Sequence, residues 1–137
     1  MADEAVFLDT NGWIALLNAS DQLHQLSDRE WRKLIDAGSR IVLTDWIVAE
    51  TDNGLARTPA RDRFSLAVRT LLGSSRVELI EVRGELFQRL LDLYAARGDK
   101  TLGLVDCASF EAMKLRDISA AFTNDRHFEQ AGFEALL

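Results

Sequence analysis

The chain has 137 residues, 47% of them hydrophobic and 28% charged, with a single proline. That is the composition of one folded domain, and it holds neither a disordered tract nor an apolar run of the ~20 residues that spans a bilayer. Sixteen basic residues against twenty-two acidic ones leave a net charge of −6, which excludes a broad, non-specific affinity for nucleic acid.

A nuclease stays open on this balance, because clustered carboxylates contribute negative charge and attract cations. The single cysteine, Cys107, excludes an internal disulfide and a multi-cysteine metal site, and the acidic start MADEAVF lacks a signal peptide's basic region. The expectation is one domain over residues 1–137, working in the reducing cytoplasm without a membrane partner.

In chain order, residues 5–8 form a short apolar strand that ends at Asp9, and TNGWIALLNAS follows with helical spacing at Trp13, Leu16 and Leu17. A second amphipathic helix is predicted over 22–37, with Leu23, Leu26, Trp31, Leu34 and Ile35 as its buried stripe and Gly38 as its stop. RIVLTD reads as a strand and WIVAETDNGLART as the helix after it. Pro59 suits the first turn of a further helix, PARDRFSLAVRTLLGSS. RVELIEV alternates as a strand, GELFQRLLDLYAARG and LVDCASFEAMKLRD read as helices, and 118–122 is a strand covered on both faces. A short polar helix follows Asp125, and GFEALL is an edge strand. Strands alternating with helices predict a mainly parallel sheet with right-handed crossovers, an α/β sandwich of three layers.

Four acids then fall near one edge. Asp9 and Asp125 end two strands, Glu50 lies about a turn into the helix after the second strand, and Asp106 lies in the first turns of a later helix. Each also has a plain structural role as a helix cap, an acid at a helix's positive end or a solvent-facing residue. Their convergence is what points to chemistry. At ~5 Å and an effective dielectric near 20, each pair of carboxylates repels by about 3 kcal/mol, so the cluster requires a cation or protons. Oxygen donors favour Mg²⁺ or Mn²⁺ over zinc, and His24 and His127 lack a zinc-like spacing. His127 reads as a surface residue of its short helix, or at most as a group behind the site. Basic groups that reach a phosphate are to be sought among Arg57, Arg61, Arg63, Arg69, Lys100 and Arg126, though a solvated helix face is the commoner role of each. No G-x-S-x-G, P-loop or G-x-G-x-x-G signature occurs.

VFLDTNGWIALLN, VAETDNGL, LVDCASFEAMK and AAFTNDRHFEQAGF, which span residues 6–133, resemble the four acidic motifs of the PIN-domain ribonucleases, in the VapC branch of toxin–antitoxin pairs. The resemblance implies a PIN-like α/β/α sandwich and metal-binding, catalytic roles for Asp9, Glu50, Asp106 and Asp125. It also implies a supporting hydroxyl at Thr123 and polar help from Thr10 and Asn11. Independently of the resemblance, Arg57, Lys100 and Arg126 are the candidate substrate-binding residues among the basic groups named above. The implied activity is Mg²⁺- or Mn²⁺-dependent cleavage of RNA, restrained by a cognate antitoxin in a homodimer or a hetero-oligomer. A short antitoxin segment with a basic residue is expected over the acids and the helices around Trp13, Trp31 and Trp46, residues that serve equally well as core.

The sequence departs from the family where hydroxyl residues often precede the third acid, since Gly103 and Val105 stand there. That removes a helix cap worth about 1 kcal/mol and a partner behind the metal. Two other readings are carried forward. In a haloacid-dehalogenase-like phosphatase Asp9 is the nucleophile, but the second acid that such an enzyme needs two residues on is Asn11 here. The other is a PIN-like binding module for RNA or protein without turnover.

Overall fold

A computed structural model describes residues 4–98 and 101–137. Its five strands are β1 (Ala5–Leu8), β2 (Arg40–Thr44), β3 (Val77–Ile80), β4 (Ala120–Phe122) and β5 (Glu134–Ala135). They form one sheet in the order β3-β2-β1-β4-β5, and every neighbouring pair is parallel. The apolar runs explain the order. Val6, Phe7, Leu8, Ile41, Val42, Leu43, Ala121 and Phe122 are buried and belong to the three inner strands, whereas Leu79 of the edge strand β3 is exposed. Strands covered on both faces have no need of a polar side.

The helices are α1 (Thr10–Leu17), α2 (His24–Asp36), α3 (Asp45–Leu55), α4 (Arg61–Leu72), α5 (Gly84–Ala96), α6 (Leu104–Leu115) and α7 (Arg126–Gln130). The chain steps outward from β1 to β2 to β3, then crosses back to β4 and β5. Right-handed crossovers therefore put α1–α4 on one face and α5–α7 on the other. Ring contacts knit each layer: Trp13 of α1 meets Phe64 of α4 at 5.4 Å, and Phe110 of α6 meets Phe128 of α7 at 5.0 Å. Trp31 of α2 packs edge-on against Phe122 of β4 at 5.4 Å, which ties a helix layer to the sheet.

The reversal of direction falls between β1 and β4, the switch point at which open α/β sheets bind ligands. There α1 lies unusually close to the sheet. A Cβ on Gly12 would collide with the Phe122 carbonyl, a backbone atom that cannot move aside.

Two expectations need correction. Ile35 of the predicted stripe on α2 is 49% exposed, and only Ser27 of that helix is fully buried. Proline 59 lies outside α4, which begins at Arg61; the Thr58 hydroxyl donates to Leu55 O and accepts from the Ala60 amide, so 55–60 form a turn. β1 has the predicted bounds, whereas β2 to β5 are shorter than predicted, because pairing stops where neighbouring chains diverge into helices. Gly38 does end the turn after α2, with φ of +71°.

Candidate metal centre at the carboxyl edge of the sheet

Asp9 leaves β1 in extended conformation and occupies the N-cap of α1, yet its side chain makes no capping bond. Its Oδ2 instead accepts from Thr123 Oγ1, 2.7 Å away at the end of β4. Asn11 Oδ1 accepts from the Asn124 amide at 3.1 Å and lies 3.0 Å from the same Thr123 hydroxyl. That hydroxyl has one proton, which goes to the nearer, charged acceptor. Thr123 Oγ1 in turn accepts from the Asp125 amide at 3.1 Å. One buried threonine thus links the ends of β1 and β4.

Glu50 is fixed from α1 as well: Thr10 Oγ1 donates to its Oε1 at 2.5 Å. Asp125 does cap α7, with Oδ1 accepting from the His127 amide at 2.9 Å. Asp106 Oδ2 accepts from the Gly103 amide at 3.2 Å, while glycine at that N-cap offers no side chain in return. Asp106, Asp125 and His127 each bring one ligand atom within 4.8 Å of the others.

The acids act on one another. Burial pushes the Asp9 carboxyl up to about 7; the Thr123 and Thr10 hydrogen bonds oppose this, and the charges of Asp106 and Glu50 reinforce it. Asp106 is raised for the same first reason, with Asp125 and Glu50 adding to it and His127 and the Gly103 amide opposing. Asp9 thus lies within electrostatic reach of Asp106 and Glu50, and Asp106 within reach of Asp125 and Glu50. Oxygen donors at one sheet edge, two of them raised by burial and by neighbouring negative charge, fit a hard divalent cation, which relieves the repulsion.

Thr10, Asn11 and Thr123 each make one of the hydrogen bonds named above. Arg126 is exposed beside Asp125. Arg57 is exposed beyond the C-terminal end of α3, ~10 Å of helical rise past Glu50. Arg61, Arg63 and Arg69 are exposed on α4. Lys100 lies outside the described residues. His127 is the residue that sequence reasoning misplaced: it is half-buried, and its Nδ1 stands 2.9 Å from Asp125 Oδ1. The signal was available, because a side chain in the first turn of a helix leans back toward the N-terminus and so toward the cap.

The PIN-domain family model matches residues 6–134, and the chain belongs to that family. Within it, the 23S rRNA-specific endonuclease VapC20 of Mycobacterium tuberculosis is 27% identical over 128 residues, which cover 93% of this chain and 95% of the relative. The crystal structure of VapC20, a sarcin–ricin-loop-cleaving toxin, superposes with a TM-score of 0.83 at 26% identity, over 93% of this chain and 95% of the other. VapBC2 from Rickettsia felis, bound to a DNA fragment from its promoter, shares the fold at a TM-score of 0.67 and 16% identity, with 96% of each chain covered. The phosphatase reading falls with these findings, and Asn11 is occupied in holding the end of β4. Among the described residues no helix is long and apolar enough to cross a membrane.

Proposed function

We propose that this chain is a Mg²⁺- or Mn²⁺-dependent endoribonuclease, the toxin of a toxin–antitoxin pair, with Asp9, Glu50, Asp106 and Asp125 as its metal-binding and catalytic acids. The observation that carries the reading is the match of residues 6–134 to the PIN domain, supported by donor atoms of Asp106, Asp125 and His127 within 4.8 Å of one another beside the switch point of the sheet. A divalent cation held there supplies Lewis acidity, which makes water more acidic and offsets charge on a phosphodiester. The chain's own part is positional. Thr123 and Thr10 clamp Asp9 and Glu50 in single orientations, and the capping bond of Asp125 does the same across the cleft. Arg126, exposed beside the acids, is the nearest described arginine in sequence to receive a phosphate. Ribosomal RNA is the first substrate to test, given what the relative of 27% identity cleaves.

The antitoxin's seat is a largely apolar groove of about 730 Å³ between α1, α2 and α4, lined by Trp13, Trp31, Ile35, Leu66 and Leu71 with Arg63 and Arg76 at hand. Leu66 is 69% exposed there, an apolar surface that a partner helix would cover. Trp46 is not part of it; that ring packs on Phe87 at 6.0 Å.

The test is cleavage of ribosomal and other single-stranded RNA by the wild type and by Asp9→Asn, Glu50→Gln, Asp106→Asn and Asp125→Asn. Loss by orders of magnitude in all four is expected, with Asp28→Asn and Glu85→Gln unchanged. RNA binding without cleavage by the wild type in Mg²⁺ and Mn²⁺ would favour the non-catalytic module instead.

A further inference from the structure

The trio of Asp106, Asp125 and His127 has a geometry of its own. Their donor atoms all lie within 4.8 Å of one another, and His127 Nδ1 is 2.9 Å from Asp125 Oδ1. Around an octahedral ion with bonds of about 2.1 Å, adjacent ligands stand ~3.0 Å apart and opposite ones ~4.2 Å. The His127–Asp125 separation matches an edge of such a shell, and the 4.8 Å bound on the trio exceeds the shell's span by only ~0.6 Å, a distance that small side-chain rotations close as an ion binds. The other ring nitrogen is engaged separately: His127 Nε2 lies 2.7 Å from Thr101 Oγ1. A threonine hydroxyl can accept as well as donate. When it accepts from Nε2–H, the lone pair of Nδ1 faces the two carboxylates, and a hydrogen bond on the remote nitrogen is how metal-ligating histidines are oriented.

We propose that His127 is a nitrogen donor to the cation at this edge, held in its ligating tautomer by Thr101, and that it turns the site toward Mn²⁺ and away from Mg²⁺. The inference rests on the four acids being a divalent-metal site, as proposed above. Mg²⁺ prefers oxygen donors and retains its waters, whereas imidazole suits first-row transition ions. Mn²⁺ is the member of that series already suited to carboxylate-rich shells. A site of carboxylates alone has no such bias. The single histidine is therefore a selectivity element, and its position two residues after Asp125 lets one short helix deliver an oxygen and a nitrogen together.

The experiment uses the whole chain, stripped with EDTA and titrated with MnCl₂ or MgCl₂. Affinity is followed by melting temperature, and the bound Mn²⁺ by pulsed electron paramagnetic resonance. The wild type is expected to show ¹⁴N coupling to Mn²⁺, absent in His127→Gln. The ratio of Mn²⁺ to Mg²⁺ affinity should fall about tenfold in that variant while Mg²⁺ still binds. Asp125→Asn, in contrast, should weaken both ions. A wild-type spectrum without nitrogen coupling overturns the proposal and leaves the acid site standing, and so does an unchanged affinity ratio in His127→Gln with metal still bound. Failure of the wild type to bind either ion sinks the acid site and the proposal together. The wild-type spectrum decides the matter even if the variant folds poorly.

Discussion

Asp9 and Asp125 occupy the same position at two strand-to-helix junctions, yet they do opposite things. Each follows a buried parallel strand and stands at the N-cap of the next helix. Asp125, half-buried, spends its carboxylate on the His127 amide as an ordinary cap. Asp9 is only 5% exposed, makes no capping bond and faces Thr123 across the sheet. The difference is set by neighbours. β1 is the middle strand, flanked on both sides and overlain by α1, whereas β4 has only the two-residue β5 outside it. An acid at the centre of the sheet edge is desolvated; one beside the margin keeps water and can cap. Sequence presents the two as equivalent, and only topology separates them.

The largest expected effect separates them by pH. In the metal-free protein the Asp9 carboxyl holds its proton up to about 7, against a model-peptide value of 3.8. The fold therefore binds a proton over that window which the unfolded chain has released. Stability from this group is complete below about pH 4 and is lost as pH rises through 7, on the order of 4 kcal/mol in all. Melting curves in EDTA should fall between pH 4 and 7 for the wild type and stay flatter for Asp9→Asn. Asp125→Ala should show the wild-type slope, displaced by the loss of a cap worth about 1 kcal/mol. Equal slopes for wild type and Asp9→Asn would erase the distinction between the two junctions.

Next in size is Gly12→Ala, which tests why β1 and β4 meet so closely at their ends. The added methyl runs into the Phe122 carbonyl, so α1 must retreat from β4. A cost of about 1–3 kcal/mol is expected. Because Asn11 and Thr10 move with the helix, cleavage should fall along with the melting temperature. A variant with normal melting and normal cleavage would show that the junction has slack.

The smallest effect concerns the third acid. Gly103 sits at the N-cap of α6 in extended conformation, φ −92° and ψ 172°, and a Cβ there meets nothing within 4 Å. Gly103→Ser should supply the missing capping hydroxyl and raise stability by about 1 kcal/mol, read from denaturant midpoints. No gain would mean that the Gly103 amide bond to Asp106 already satisfies this helix end.

Much of this was legible in the chain itself. Asp9, Glu50, Asp106 and Asp125 could be placed because buried strands read as apolar runs and parallel strands share one carboxyl edge. Thr123 was legible only through the family resemblance, since its partner Asp9 is 114 residues away. His127 was misread because the polar composition of a five-residue helix was weighed ahead of the lean of its first-turn side chains back toward the cap. Ile35 was assigned to the core by periodicity, but α2 borders the groove, so that face is exposed. The need for glycine at position 12 was not legible, because close approach between a helix and a strand leaves no mark in local composition.

The central place of β1 also bears on the order of events at birth. β1 leaves the ribosome before β4 and has to wait for it, since the hydrogen bond from Thr123 to Asp9 closes a span of 114 residues. Contacts of such separation form late, after local helices and the β1–β2–β3 half have had time to assemble. The acid cluster is thus completed only once residue 125 has been synthesised. A nascent or prematurely released chain that lacks residues 120–127 carries Asp9, Glu50 and Asp106 but neither Asp125 nor the threonine that orients Asp9. For a protein proposed to cut RNA, the sheet order itself delays activity until β4 and Asp125 have emerged and joined β1.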